Sequence, residues 1–124
     1  VNSHFMHPDD LLDEDRGAAL GWEKLRARLD EYMTWMNESA PSLRNLTGSE
    51  LAGAVQRYGA LTVDKEITDQ EIRIHLGNFY DEAYLMVRIN DGTPGQVTGG
   101  ELTNVTGNLY LLHAQESEVV IERN

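Results

Sequence analysis

The hydrophobic pattern of this chain changes period near Gly59. Before that point apolar residues recur every three or four positions, the helical spacing. After it they alternate with polar ones, the strand spacing. Trp22, Leu25, Leu29, Met33 and Met36 share one face of a helix predicted from about Gly17 to Asn37. Arg26 and Asp30 stand four apart on another face, and Pro41 blocks continuation beyond the end. Thr47-Gly48-Ser49-Glu50 matches a capping box that opens a second, shorter helix. Leu51, Val55 and Tyr58 form its apolar stripe, and Gly59 sits where a left-handed cap would close it.

Downstream, Leu61, Val63 and Ile67 alternate with polar neighbours, as do Ile72, Ile74 and Leu76. Residues 83–89 are apolar on both faces, the mark of a central strand. Asn90 to Gly95 is a turn, and strands follow at Leu109–His113 and Glu118–Glu122. Upstream, Val1 to His7 reads as a short strand stopped by Pro8 and followed by an acidic loop. The expected architecture is α+β. Residues 1–60 supply a strand and helices, and residues 61–124 form a small antiparallel β-sandwich.

Composition narrows the function. The 124 residues are 40% hydrophobic, enough to build a core, and the formal net charge is −11. Such a surface repels nucleic acid and anionic membranes, and no basic stripe offsets it. No apolar run reaches the roughly 20 residues that a membrane span needs, so no membrane insertion is expected. Cysteine is absent, which excludes disulfides and thiolate chemistry. The chain opens on Val1, without an initiator Met or a basic and apolar leader, and is expected to be part of a longer protein.

One cluster has the residue types for chemistry: His4, His7, Asp9 and Asp10, all within seven positions. Two imidazoles and two carboxylates suit acid/base work or metal binding. On a strand, His4 and His7 point to opposite faces and do not share a metal, so one is the active group and the other its support. No metal site is expected from this segment by itself. The plain alternative is a polar strand end with a turn-forming Pro8-Asp9 pair.

Residues Ser3 to Asp10, then Leu12-Asp13, Asp15-Arg16-Gly17, Trp22, Leu25, Tyr32, Trp35, Leu43-Arg44, Thr47, Ser49 and Glu50, together resemble the end of the deacetylase domain of Pel-type exopolysaccharide proteins. Those belong to the polysaccharide deacetylase group of carbohydrate esterases. The resemblance covers residues 1–60 and is only positional beyond them. It implies a distorted (β/α) barrel whose last strand and helices lie in this chain. It also implies a divalent metal, commonly zinc, held by an Asp and two His, and a general acid His in a Leu-x-His motif. Phe5-Met6-His7 departs from that motif by Phe for Leu. On this resemblance His7 is the general acid, Asp9 and Asp10 either orient it or merely cap the next turn, and His4 contacts substrate. The family's Thr-Phe-Asp-Asp and His-x-x-x-His segments are missing here, so the metal ligands would lie upstream of Val1 and this chain by itself binds no cofactor. The implied activity is de-N-acetylation of an exopolysaccharide, in the periplasm or outside the cell, in concert with the upstream part of the same protein. The rival reading is a non-catalytic module that binds glycan or protein.

The remaining candidates have structural readings. Trp22 and Trp35 are expected to pack in a core rather than stack on sugars, and His75 and His113 to lie isolated on the surface. Gly99-Gly100 reads as a turn and not as a phosphate loop. Tyr80, Tyr84 and Tyr110 offer either a carbohydrate platform or cross-strand packing, and packing is the reading taken.

Overall fold

A computed structural model describes residues 7–124. The strand read over Val1–His7 therefore lies, apart from His7, outside the described residues. The chain divides into two compact units, Val1–Leu43 and Arg44–Asn124. The division falls well before the change of period, so the second helix belongs with the strands.

In the first unit a 3-10 turn, Pro8–Leu11, precedes helix α1, Gly21–Ser39. The helix begins four residues later than the periodicity suggests. Gly21 has φ of +72°, a left-handed value that breaks any helical path arriving from Gly17. Gly17 instead folds back on the turn: its N–H donates to the Asp10 carbonyl at 2.9 Å, and the residue is buried. Leu25, Leu29, Tyr32, Met33 and Met36 are the half-buried positions of α1. Trp22 and Trp35, expected in a core, are instead 51% and 60% exposed. Trp22 stands in the first turn of the helix, and Trp35 lies off the face that Leu25, Leu29, Met33 and Met36 share.

The second unit opens with α2, Gly48–Ala60, closed at its N-terminus by the anticipated capping box. The Thr47 N–H donates to the Glu50 carboxylate at 2.7 Å, and the Glu50 N–H donates to the Thr47 hydroxyl at 3.4 Å. Gly59 is not a left-handed cap. The helix runs through it, and the extended Leu61 ends it, with its N–H on the Arg57 carbonyl. Seven strands follow: β1 Thr62–Ile67, β2 Glu71–Gly77, β3 Ala83–Arg88, β4 Pro94–Thr98, β5 Gly100–Thr106, β6 Leu109–Ala114 and β7 Glu118–Arg123. They form two antiparallel sheets, in the orders β1-β2-β7-β4 and β3-β6-β5. The described residues are thus α+β, with two α-helices and two sheets.

Alternation builds the core. Ile72, Ile74 and Leu76 of β2 stand beside Val119 and Ile121 of β7, and Ala83, Leu112 and Ala114 come from the other sheet. Leu112, Val119 and Ile121 are fully buried. Each such aliphatic side chain contributes about 1.5–3 kcal/mol by leaving water. The stretch 83–89, expected as a central strand, lies at a sheet edge: among the described residues β3 pairs only with β6. Its outward Met86 is 53% exposed, so apolar residues on both faces did not signal burial on both. Residues 94–98 and 100–106, which carry no clear alternation, are strands as well. The chain passes between sheets at Gly99, where φ is +80°. A Cβ there would collide with the Glu118 carbonyl oxygen, so only glycine fits.

Candidate functional site

The second unit holds a cleft of about 240 Å³ beside the start of β3. α2 lines it with Ala54, Val55, Arg57 and Tyr58, and the segment before β3 supplies Tyr80 and Glu82. Val55 and Tyr58 were read as the packing stripe of α2, yet they are 58% and 77% exposed. The half-buried positions of this helix are Leu51, Gly53, Ala54 and Arg57. The face turned inward is therefore rotated from the one that hydrophobicity suggests. Tyr58 is left presenting its ring at the cleft.

Glu82 is the centre of the polar network. The Arg57 Nη2 donates to its Oε1 at 3.2 Å, and the Arg44 Nη1 lies 3.5 Å from the same oxygen. Its Oε2 lies 3.1 Å from the His113 Nε2. The Arg44 guanidinium also sits over the Tyr84 ring, 3.7 Å from its centroid. Tyr84 in turn stacks on His113, with centroids 4.3 Å apart and planes 5° from parallel. Strand register dictates that stack, since Tyr84 and His113 are directly opposed between β3 and β6 and so project from the same face. All four polar side chains are about 70% buried. His113, expected to be isolated on the surface, is thus part of a ring stack and an ion pair. Arg44, Arg57 and Glu82 escaped the sequence reading as a group, because no local motif joins residues 13 and 25 positions apart. The cleft thus combines two exposed tyrosines, Tyr58 and Tyr80, with a charged network of two arginines, a glutamate and a histidine.

The motif residues behave differently. His7 precedes the 3-10 turn, and its Nδ1 lies 3.7 Å from the Asp9 Oδ1. Asp10 is engaged elsewhere. It accepts from the His7 N–H at 3.0 Å and pairs with Arg16. The Arg16 hydrogen bond first, then the one from His7, holds the Asp10 carboxyl below its ordinary value. Of the two aspartates, Asp9 thus flanks the imidazole and Asp10 braces the turn. His4 lies outside the described residues. His75 is exposed on the outer face of its sheet, 3.6 Å from the Glu118 carboxylate. Among the described residues no three His, Asp or Glu side chains converge as a metal site requires. The divalent metal implied by the resemblance has no holder among them.

Comparison with known proteins defines first a broad class, a protein conserved in bacteria. More particularly, residues 1–111 match the DUF2194 family, described as an uncharacterised protein conserved in bacteria, and the chain belongs to that family. No curated protein and no solved structure matches the chain. No helix among the described residues is long and apolar enough to cross a membrane.

Proposed function

We propose that the β-rich unit is a carbohydrate-binding module of an extracytoplasmic exopolysaccharide deacetylase. The cleft carries the binding half of this reading: Tyr58 and Tyr80 are 77% and 74% exposed on its rim, above the half-buried network of Arg44, Arg57, Glu82 and His113. Exposed aromatic faces stack on sugar C–H surfaces, and fixed polar groups beneath them select hydroxyls and substituents. The enzymatic half rests on the resemblance of Ser3 to Glu50 to the end of a deacetylase barrel. Within it His7 gives a proton to the leaving amine, Asp9 steadies the imidazolium, and His4 contacts the sugar. The divalent metal, zinc by preference, is supplied by parts of that enzyme with no counterpart in this sequence.

The binding half is tested by titrating the isotope-labelled chain with oligosaccharides and following its amide resonances. Shifts are expected at Arg57, Tyr58, Tyr80 and Glu82. Tyr58→Ala and Tyr80→Ala should each weaken binding by about 0.5–1.5 kcal/mol without lowering the melting temperature. Saccharides that shift no cleft resonance would remove this reading.

A further inference from the structure

We infer that the cleft selects an acidic saccharide, one carrying a carboxylate on its ring, rather than a neutral or an amino sugar. The inference rests on the carbohydrate-binding reading and adds the ligand's charge. The chain as a whole has a net charge of −11, which by itself favours cationic polymers. The cleft runs the other way. Its charged lining is Arg44, Arg57 and Glu82, two guanidiniums against one carboxylate, so one positive charge is in excess.

The geometry leaves that excess available. Both guanidiniums meet Glu82 at its Oε1 alone, and Glu82 gives its Oε2 to His113. Neither guanidinium has another hydrogen-bond or ion-pair partner among the described residues. A guanidinium has five N–H donors in a planar array, so each retains donors toward the cleft that both line. That array matches a carboxylate with two parallel hydrogen bonds, which a hydroxyl cannot accept and an ammonium repels. The cation–π contact with Tyr84 fixes the plane of Arg44, so its donors are oriented before a ligand arrives. The exposed rings of Tyr58 and Tyr80 add the second requirement, a flat apolar face. A uronate ring offers both: C–H groups on its face and a carboxylate at its edge. A carboxylate on a flexible peptide offers only the second.

The test measures binding of the full chain to four trimers by calorimetry: trigalacturonate, chitotriose, its fully deacetylated amine and triglutamate. Trigalacturonate is expected to bind at least about tenfold more tightly than each of the others, the gain of one charge-assisted hydrogen bond. Raising ionic strength from about 0.01 M to about 0.15 M shortens the screening length from about 30 Å to about 8 Å. It should weaken trigalacturonate binding and leave chitotriose unchanged. Arg44→Gln and Arg57→Gln should abolish the preference, while the salt response of the unmodified chain stands as evidence even if a variant misfolds. Chitotriose or its amine binding as tightly as trigalacturonate would overturn the inference and leave the carbohydrate reading intact. Triglutamate equalling trigalacturonate would overturn it too, as recognition of charge without a ring. No binding by any saccharide would remove both.

Discussion

Gly99 shows how much a single position can decide. Its φ of +80° and the Glu118 carbonyl lying where a Cβ would stand are two separate penalties on any other residue. Its own carbonyl accepts the N–H groups of Gln115 and Glu116, at 2.9 and 3.0 Å, and so anchors the link between β6 and β7. Gly99→Ala is expected to cost at least about 2 kcal/mol, lowering the melting temperature by roughly 8–16 °C in a unit of this size. A thermal melt within about 2 °C of the parent would show that the crossing tolerates a side chain. The dipeptide Gly99-Gly100 was legible in the sequence as a turn, but not as the point where the chain changes sheets. The cleft was less legible still. Glu82, His113 and Arg57 come together through strand register and helix docking over separations of 31 and 25 residues. Tyr80 and Tyr84 carried a signal, being closely spaced aromatics beside a turn, yet nothing local placed two guanidiniums over the same carboxylate.

Among the elements, α2 combines a complete capping box with the lack of any buried residue. Its N-terminal box is therefore a sizeable part of what holds it. The Glu50 carboxyl is held below its ordinary 4.5 by hydrogen bonds from the Thr47 N–H first and the Thr47 hydroxyl second. The ionised form is the one that folding favours. Its contribution is complete above 4.5 and is lost as pH falls through the lower folded value. Thr47→Ala should return the Glu50 titration toward 4.5 and cost about 1 kcal/mol of stability. A carboxyl-resolved titration with an unchanged midpoint would mean the box does not form in solution. This box was legible because its two residues are three apart, as were Ile72, Ile74 and Leu76, whose alternation is strict and whose burial is nearly total. Strands β4 and β5 were not, since Gln96, Thr98, Glu101 and Thr103 dilute their apolar positions and the pair Gly99-Gly100 stands at their junction. β3 misled because Met86 and Val87 read alike in sequence although one faces out.

At the scale of the whole molecule, the proposed reaction joins a binding unit to chemistry centred on His7. In the full-length protein, His7→Ala is expected to lower turnover about 10²–10⁴-fold, the usual contribution of a general acid, while leaving metal content and folding unchanged. Asp9→Asn should reduce the rate less and Asp10→Asn should act through the stability of the turn, because Asp10 pairs with Arg16. Turnover within a few-fold of the parent after His7→Ala would dismiss the assignment. The order of the larger sheet has a consequence during synthesis. Strand β7 lies between β2 and β4, and Ile74 is opposed by Val119, 45 positions further along the chain. At about 5–20 residues per second, a ribosome needs about 2–9 s to make that stretch. Throughout that interval the nascent β2 lacks its inner neighbour, and the backbone N–H and C=O groups along that edge have no partner strand. An unpaired edge of that kind is a template for strand pairing with another chain until Glu118–Arg123 takes its place in the sheet.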